Sequence, residues 1–126
     1  MRFYYKERND EFFRACSALR SERPYLTARQ IASEASMRPA ESFYLTERQV
    51  MEIIMRMRCG NDNPSCAVCG EMHREIFSRY WRIKTEHPEM SVRAIAFEIS
   101  LQEAPRFYIC ERGAYKLYLK HLKGLL

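Results

Sequence analysis

The chain has 126 residues, of which 47% are hydrophobic, and it carries a formal net charge of +5 at pH 7 with a pI near 9.1. A chain of this length and composition can bury a real core, and its positive charge favours a polyanionic partner. The charged amino terminus argues against a signal peptide, and no run of eighteen apolar residues predicts a membrane span, so we expect a cytoplasmic protein with no membrane partner.

Two stretches of the sequence repeat each other. Residues 11–58 and 75–122, aligned without a gap, share fourteen identities in forty-eight positions. A repeat of this length indicates one structural unit used twice. We therefore expect two copies of one helical fold, the first over residues 1–59 and the second over 71–126, joined by a linker over 60–70.

Three helices are predicted in the first copy. Apolar residues recur at spacings of three and four between residues 3 and 22, which indicates a helix that Pro24 ends. Thr27 is a good N-cap for a short second helix. Thr46 begins the third helix, because its side chain and that of Gln49 can form a capping box.

The second copy repeats this plan after Gly60, a residue typical of a helix end. One helix stops before Pro88, a second is capped by Ser91, and a third runs from about Glu111 to Lys123. The sequence thus predicts an all-α fold of about six helices, arranged as two tandem three-helix repeats.

Each copy carries a capped helix with the sequence Ile-Ala-x-Glu, then a bend and another capped helix. The motif lies at Ile31–Glu34 and again at Ile95–Glu98. It resembles the helix-turn-helix of DNA-binding domains, in which a small alanine lets two helices pack tightly, although Ser36 and Ser100 stand where that family usually has glycine. The resemblance implies a helix that presents basic side chains to DNA. The string APRFYICER is also similar to a motif of short uncharacterised bacterial proteins, which implies no function.

The last helix carries the main candidates for a DNA contact. Arg112, Lys116 and Lys120 lie at i, i+4 and i+8 and so share one face, and Lys123 extends the charge. The equivalent row in the first copy reads Arg48, Glu52 and Arg56. Because an acidic residue in the middle of that row weakens attraction to phosphates, we expect the second copy to be the main DNA contact. The first copy is then a weaker reader or a packing unit.

Three further arginines are candidate phosphate contacts, with a solvated surface charge as the alternative for each: Arg29, Arg93 and Arg106. Arg48 and Arg112 stand in the first turn of a helix, where the dipole disfavours a cation by roughly a few tenths of a kcal/mol. A contact with DNA would explain both arginines, and so would a salt bridge to Glu34 or Glu98.

Four potential zinc ligands surround the linker. Cys59, Cys66, Cys69 and His73 are spaced C-x6-C-x2-C-x3-H, and zinc prefers four thiolate or imidazole ligands in a tetrahedron. They could hold a structural zinc that clamps the two copies, or the cysteines could be free thiols in an exposed linker. Five cysteines, an odd number, fit a reducing compartment.

Motifs for catalysis are missing from the sequence, which has neither a phosphate-cradling glycine loop nor a metalloprotease-type histidine pair. We therefore expect a non-enzymatic protein without a small-molecule substrate: a small bacterial or mobile-element regulator or accessory factor that binds duplex DNA. One alternative is a small zinc-stabilised structural protein. The other is a helical module that binds a protein partner or a second copy of the chain through Met51, Met55, Met57, Tyr115 and Leu119.

Overall fold

The computed structural model describes the backbone of residues 2–124 and the side chains of residues 4–124. This part of the chain forms six α-helices and no sheet, which confirms the prediction of an all-α fold. The helices are α1 (Arg2–Glu22), α2 (Ala28–Ser36), α3 (Glu47–Cys59), α4 (Ala67–Glu86), α5 (Val92–Ser100) and α6 (Glu111–Leu122).

Side-chain caps fix where the middle helices begin. The hydroxyls of Thr27 and Thr46 each accept a hydrogen bond from the backbone amide of the glutamine three residues later. In return, the backbone amide of each threonine donates to the side-chain oxygen of that glutamine, Gln30 or Gln49. Ser91 caps α5 in the same way without the return bond. At the other end of α3, Gly60 has φ +71°, the left-handed conformation that glycine adopts without strain. These four predictions are confirmed.

The loop between α3 and α4 is shorter than the linker predicted over residues 60–70. Helix α4 begins at Ala67 because the Cys66 sulfur acts as its N-cap and accepts a hydrogen bond from the Cys69 amide at 3.4 Å. The predicted linker therefore includes the first turn of a helix, and His73 lies in the second turn of α4.

The helices pack into two units that do not follow the order of the repeats. The first unit comprises Met1–Glu41 and Glu103–Leu126, and the second comprises Ser42–Gln102. In the first, α2 packs against α1 and against α6; in the second, α5 packs against α3 and α4. Each unit thus takes two helices from one copy and the third helix from the other.

A short backbone contact holds the two chain segments of the first unit together. Ala40 and Ala104, one of the identical pairs of the repeat, exchange two amide-to-carbonyl hydrogen bonds of 3.0 and 2.9 Å. The Phe107 amide also donates to the Ser36 carbonyl at 3.0 Å. These bonds fix the segment that leads into α6 beside the end of α2.

The core of the first unit forms where the apolar faces of its three helices meet. Phe12 and Phe107 pack edge to face with centroids 5.8 Å apart. Burial raises the pKa of the Cys16 thiol to about 12, so this cysteine stays neutral. Other fully enclosed side chains of this unit include Leu19, Ile31, Ala32, Ala35, Ala114 and Tyr118. The hydroxyl of Tyr118 reaches Arg20 and accepts a hydrogen bond at 3.4 Å.

The core of the second unit is built in the same way from equivalent positions. Its buried side chains come from α3, α4 and α5: Val50, Ile53, Ile54, Ile76, Tyr80, Ile95, Ala96 and Ile99. Phe43, which precedes α3, is also buried, and the Arg79 guanidinium lies over its ring, 4.9 Å from the centroid. The repeated phenylalanines at 43 and 107 are therefore core residues.

Exchange of the third helix gives each core one large tyrosine. Tyr80 and Tyr118, which are 1% and 2% exposed, both belong to the second sequence copy, where the first copy has Cys16 and Ile54. In the structure, Tyr118 lies in the core that contains Cys16, and Tyr80 lies in the core that contains Ile54. Packing copy by copy would put both tyrosines in one core and neither in the other. Because protein interiors are close-packed, the volumes of these side chains favour the packing in which each unit takes its third helix from the other sequence copy.

Replacing Ile54 with tyrosine tests this arrangement. Since Tyr80 already occupies the same core, Ile54→Tyr should overpack it and lower the free energy of unfolding by about 1–3 kcal/mol. Denaturant unfolding followed by circular dichroism measures this. Met55→Tyr, on the exposed side of the same helix, is the control and should change stability by no more than about 0.5 kcal/mol. An unchanged or raised stability of Ile54→Tyr would indicate that Ile54 shares its core with the smaller Cys16.

Candidate nucleic-acid interface

Helix α6 presents a row of basic side chains on its exposed face. Cys110 caps the helix by accepting a hydrogen bond from the Gly113 amide at 3.3 Å, and Ala114 and Tyr118 turn the opposite face into the core. Arg112, Lys116 and Lys120 on the helix and Lys123, which caps its end, are all exposed. Among the side chains that the structure describes, none of these four has an ion-pair partner. We refer to these four residues as the α6 row.

Arg29 of α2 lies next to the α6 row within the first unit. Its guanidinium carbon is 4.5 Å from the centroid of the Tyr115 ring, a cation–π contact between α2 and α6. A shallow groove runs between the two helices and is lined by Arg29, Glu111, Arg112, Tyr115, Lys116 and Leu119. We refer to it as the α2–α6 groove. Two helices from different sequence copies therefore contribute to one basic surface.

The predicted arginines of the second unit are paired with acidic side chains. The ion pairs are Arg48–Glu52 at 3.3 Å, Arg56–Asp62 at 3.2 Å and Arg93–Glu47 at 3.2 Å. Each carboxylate offsets the positive potential that its arginine would offer to a phosphate. Glu34 pairs with Arg23 within the first unit.

The division of charge between the units follows the same pattern. The first unit contains thirteen lysines and arginines against eight acidic residues, whereas the second contains eight of each. The whole net charge of +5 therefore belongs to the first unit. A polyanion should be attracted to the first unit far more than to the second.

Arg106 is placed differently from the rest of the predicted DNA-binding residues. Its side chain is half-buried and donates hydrogen bonds to the carbonyls of Phe107 and Ile109, at 3.1 and 3.3 Å. It also lies over the Tyr108 ring, 5.8 Å from the centroid. These bonds hold the turn before α6 in shape, which is a structural role for this arginine.

The structure does not bring the four predicted zinc ligands together. Cys59 is exposed at the end of α3. Cys66 is also exposed, and hydrogen bonds from the backbone and thiol of Cys69 lower the pKa of its thiol. His73 faces an aspartate instead: its Nδ1 lies 2.7 Å from a carboxylate oxygen of Asp62. Across residues 4–124 no three His, Cys, Asp or Glu side chains are grouped so that they could hold a metal ion. Zinc binding stays a prediction.

Asp62 is a residue that the sequence did not single out. Its side chain is only 9% exposed and bridges two helices, because it accepts from Arg56 of α3 and contacts His73 of α4. Burial acts to raise the pKa of Asp62, but the bonds to His73 and Arg56 outweigh burial and hold that pKa below its usual value. The sequence does not single it out, because two acidic residues, Asp62 and Glu71, lie between Arg56 and His73.

Comparison with known proteins reveals no relative of this chain. No protein-family model, curated protein or solved structure matches the chain. Within residues 2–124, the helices are all too short or too polar to cross a membrane.

Asp62→Asn should destabilise the second unit. The substitution keeps the size of the side chain but removes the charged acceptor shared by Arg56 and His73, so the free energy of unfolding should fall by about 1–3 kcal/mol near neutral pH. The Asp62 carboxyl has a lower pKa in the folded protein than in the unfolded chain. Its contribution to stability is therefore fully present above the pKa of the unfolded chain and is lost as the pH falls through the pKa of the folded protein. The difference between wild type and variant should therefore shrink as the pH falls below the ordinary aspartate pKa of about 3.9.

Denaturant unfolding at several pH values measures both effects. Glu52→Gln is a suitable control, because Glu52 is half exposed in its pair with Arg48 and should contribute no more than about 1 kcal/mol. Equal stability of Asp62→Asn and wild type at neutral pH would contradict the bridging role of Asp62.

Proposed function

We propose that this chain is a non-enzymatic DNA-binding protein, a small bacterial or mobile-element regulator or accessory factor, whose main DNA contact is the α6 row. The observation that carries the proposal is that exposed cations without ion-pair partners among the described side chains line one face of a helix, in the unit that holds the whole net charge. Phosphate contacts of this kind supply most of the affinity of non-specific DNA binding.

The dimensions of α6 suit a contact with duplex DNA. At a rise of about 1.5 Å per residue, the row from Arg112 to Lys123 extends over roughly 16 Å. The major groove of B-DNA is about 12 Å wide and admits an α-helix, with phosphates along both of its edges. The opposite face of α6 packs into the core, so the helix is held while its basic face remains open to solvent.

The second unit contributes less to DNA binding in this proposal. Its candidate arginines Arg48, Arg56 and Arg93 are held in ion pairs, and its sequence charge is balanced. We therefore infer that the second unit is a packing unit or a weak secondary contact, in agreement with the acidic residue predicted to weaken the first-copy row.

Fluorescence anisotropy of a labelled random-sequence DNA duplex tests the proposal. Wild type should bind more weakly as salt rises, because phosphate contacts release counterions. The triple variant Arg112→Ala, Lys116→Ala, Lys120→Ala should bind much more weakly. Its salt slope, the change of log K with log salt, should be less steep by about three, since each lost phosphate contact removes about one.

A matched triple variant of the second unit separates a local contact from total charge. This control variant is Arg48→Ala, Arg82→Ala, Arg93→Ala, which also removes three exposed positive charges. It should keep most of the affinity for DNA and most of the salt slope. Circular dichroism confirms that both variants fold. Equal losses in the two triple variants would show that net charge matters and the α6 row does not, and no binding by folded wild type at low salt would refute DNA binding.

A second candidate function is protein association through exposed apolar side chains of the second unit. Trp81 on α4 and Phe97 on α5 are 48% and 47% exposed, and Leu101 at the end of α5 is 66% exposed. Large exposed apolar side chains are typical of protein-contact surfaces, and such contacts respond weakly to salt.

The double variant Phe97→Ser, Leu101→Ser distinguishes this candidate function. If the surface binds a second copy of the chain, sedimentation velocity should show association of wild type that persists at high salt and is lost in the variant. Met37→Ser removes a similarly exposed side chain from the first unit and should leave association intact. A wild-type protein that stays monomeric throughout would argue against a second copy as the partner.

A further inference from the structure

We propose that the α2–α6 groove is a phosphate-binding site for the DNA backbone, in which Arg29 of the first sequence copy acts together with Arg112 and Lys116 of the second. The inference rests on the proposed function and extends it, because it adds a contact from α2 and makes the site depend on both copies. It identifies the bound group as a phosphodiester of the DNA and Tyr115 as the residue that positions Arg29.

The contacts of Arg29 place its charge in the groove. The guanidinium lies over the ring of Tyr115, which is itself held on α6, and Arg29 has no ion-pair partner among the side chains described. The stacked guanidinium keeps its edge N–H groups available, and a planar fork of donors suits phosphate oxygens. The ring thus holds the arginine beside the α6 row and leaves its donors free for a ligand.

The equivalent surface of the second unit shows where the arginine goes when no tyrosine lies beside it. Arg93 corresponds to Arg29 in the repeat, and Met51 stands where α6 has Tyr115. Without an aromatic ring to stack on, Arg93 pairs with Glu47 at 3.2 Å. The same arginine position is therefore directed to a ring in one unit and to a carboxylate in the other.

Glu111 also lines the groove and opposes the binding of an anion. It corresponds to Glu47 in the repeat, but unlike Glu47 it has no ion-pair partner among the described side chains. Three cations, Arg29, Arg112 and Lys116, line the groove with it, so the lining keeps a net positive charge. Removing this one negative charge should therefore strengthen phosphate binding, an effect that a purely structural role for the groove does not predict.

DNA-binding titrations of Arg29→Ala and Arg93→Ala, at two salt concentrations, test the contact from α2. Arg29→Ala should weaken binding by at least about threefold at low salt and make the salt slope less steep by about one, because one phosphate contact is lost. Arg93→Ala removes the same side chain at the equivalent position of the second unit and should change neither quantity.

Substitutions of Tyr115 separate positioning from charge. Tyr115→Leu should weaken binding by about twofold to fivefold through loss of the stacking contact, with Arg29 still present. Tyr115→Phe keeps the ring and should bind as wild type does. In the double variant Arg29→Ala, Tyr115→Leu, the loss of binding free energy should be smaller than the sum of the losses in the two single variants, since the tyrosine acts through the arginine.

Glu111→Gln is the variant with the opposite sign. It should bind DNA at least about twofold more tightly at low salt, and the gain should fade as salt screens the charges. Glu98→Gln, the same charge change on an exposed residue of the second unit, should leave binding unchanged. Circular dichroism confirms that every variant is folded.

The outcomes distinguish this inference from the proposed function. If wild type binds, the α6 triple variant does not, and Arg29→Ala, Tyr115→Leu and Glu111→Gln all bind as wild type does, the α6 row is a DNA contact and the groove is not. If folded wild type fails to bind DNA at low salt, both are overturned. A loss in Arg29→Ala that is matched by Arg93→Ala would also overturn the groove, because total charge would then explain the effect.

Discussion

The packing of α6 against α1 and α2 is the interaction on which the basic surface depends. It buries Ala114 and Tyr118, and this turns the α6 row toward solvent and brings Tyr115 under the guanidinium of Arg29. Had each copy packed its own third helix, α2 would have met α3, and Arg29 would have found a methionine in place of the tyrosine. The composition of the surface therefore follows from which helix packs in which core.

Local structure could be predicted from the sequence because its causes are local. Thr27, Thr46 and Ser91 cap the amide three residues away, and Gly60 adopts a positive φ at the end of its own helix. The partner of each helix could not be predicted in this way. Two copies with equivalent apolar faces offer the same periodic signal to either third helix, and only the volumes of Cys16, Ile54 and the two buried tyrosines favour one pairing. Tyr44 similarly has φ 58°, which its position in the repeat does not indicate.

The sequence predicts which basic residues lie on the candidate site, but it does not predict which acidic residues pair with the other candidate arginines. The spacing of Arg112, Lys116 and Lys120 was enough to place them on one face, because the helix period alone decides it. The pairing of Arg56 with Asp62 and of Arg93 with Glu47 depends on packing across helices, which spacing cannot supply. For the same reason the sequence groups His73 with cysteines that are close along the chain, whereas in the structure its ring faces a carboxylate.

Differences between equivalent positions of the two sequence copies account for the division of roles that we propose. Equivalent positions have kept their arginines, at 29 and 93 and at 48 and 112, so both units still hold the same cations. What differs is the neighbour: Glu52 where α6 has Lys116, and Met51 where it has Tyr115. A carboxylate near an arginine lowers the local potential as effectively as removing the arginine would. In this proposal the surrounding residues, more than the arginines themselves, determine which unit attracts a polyanion.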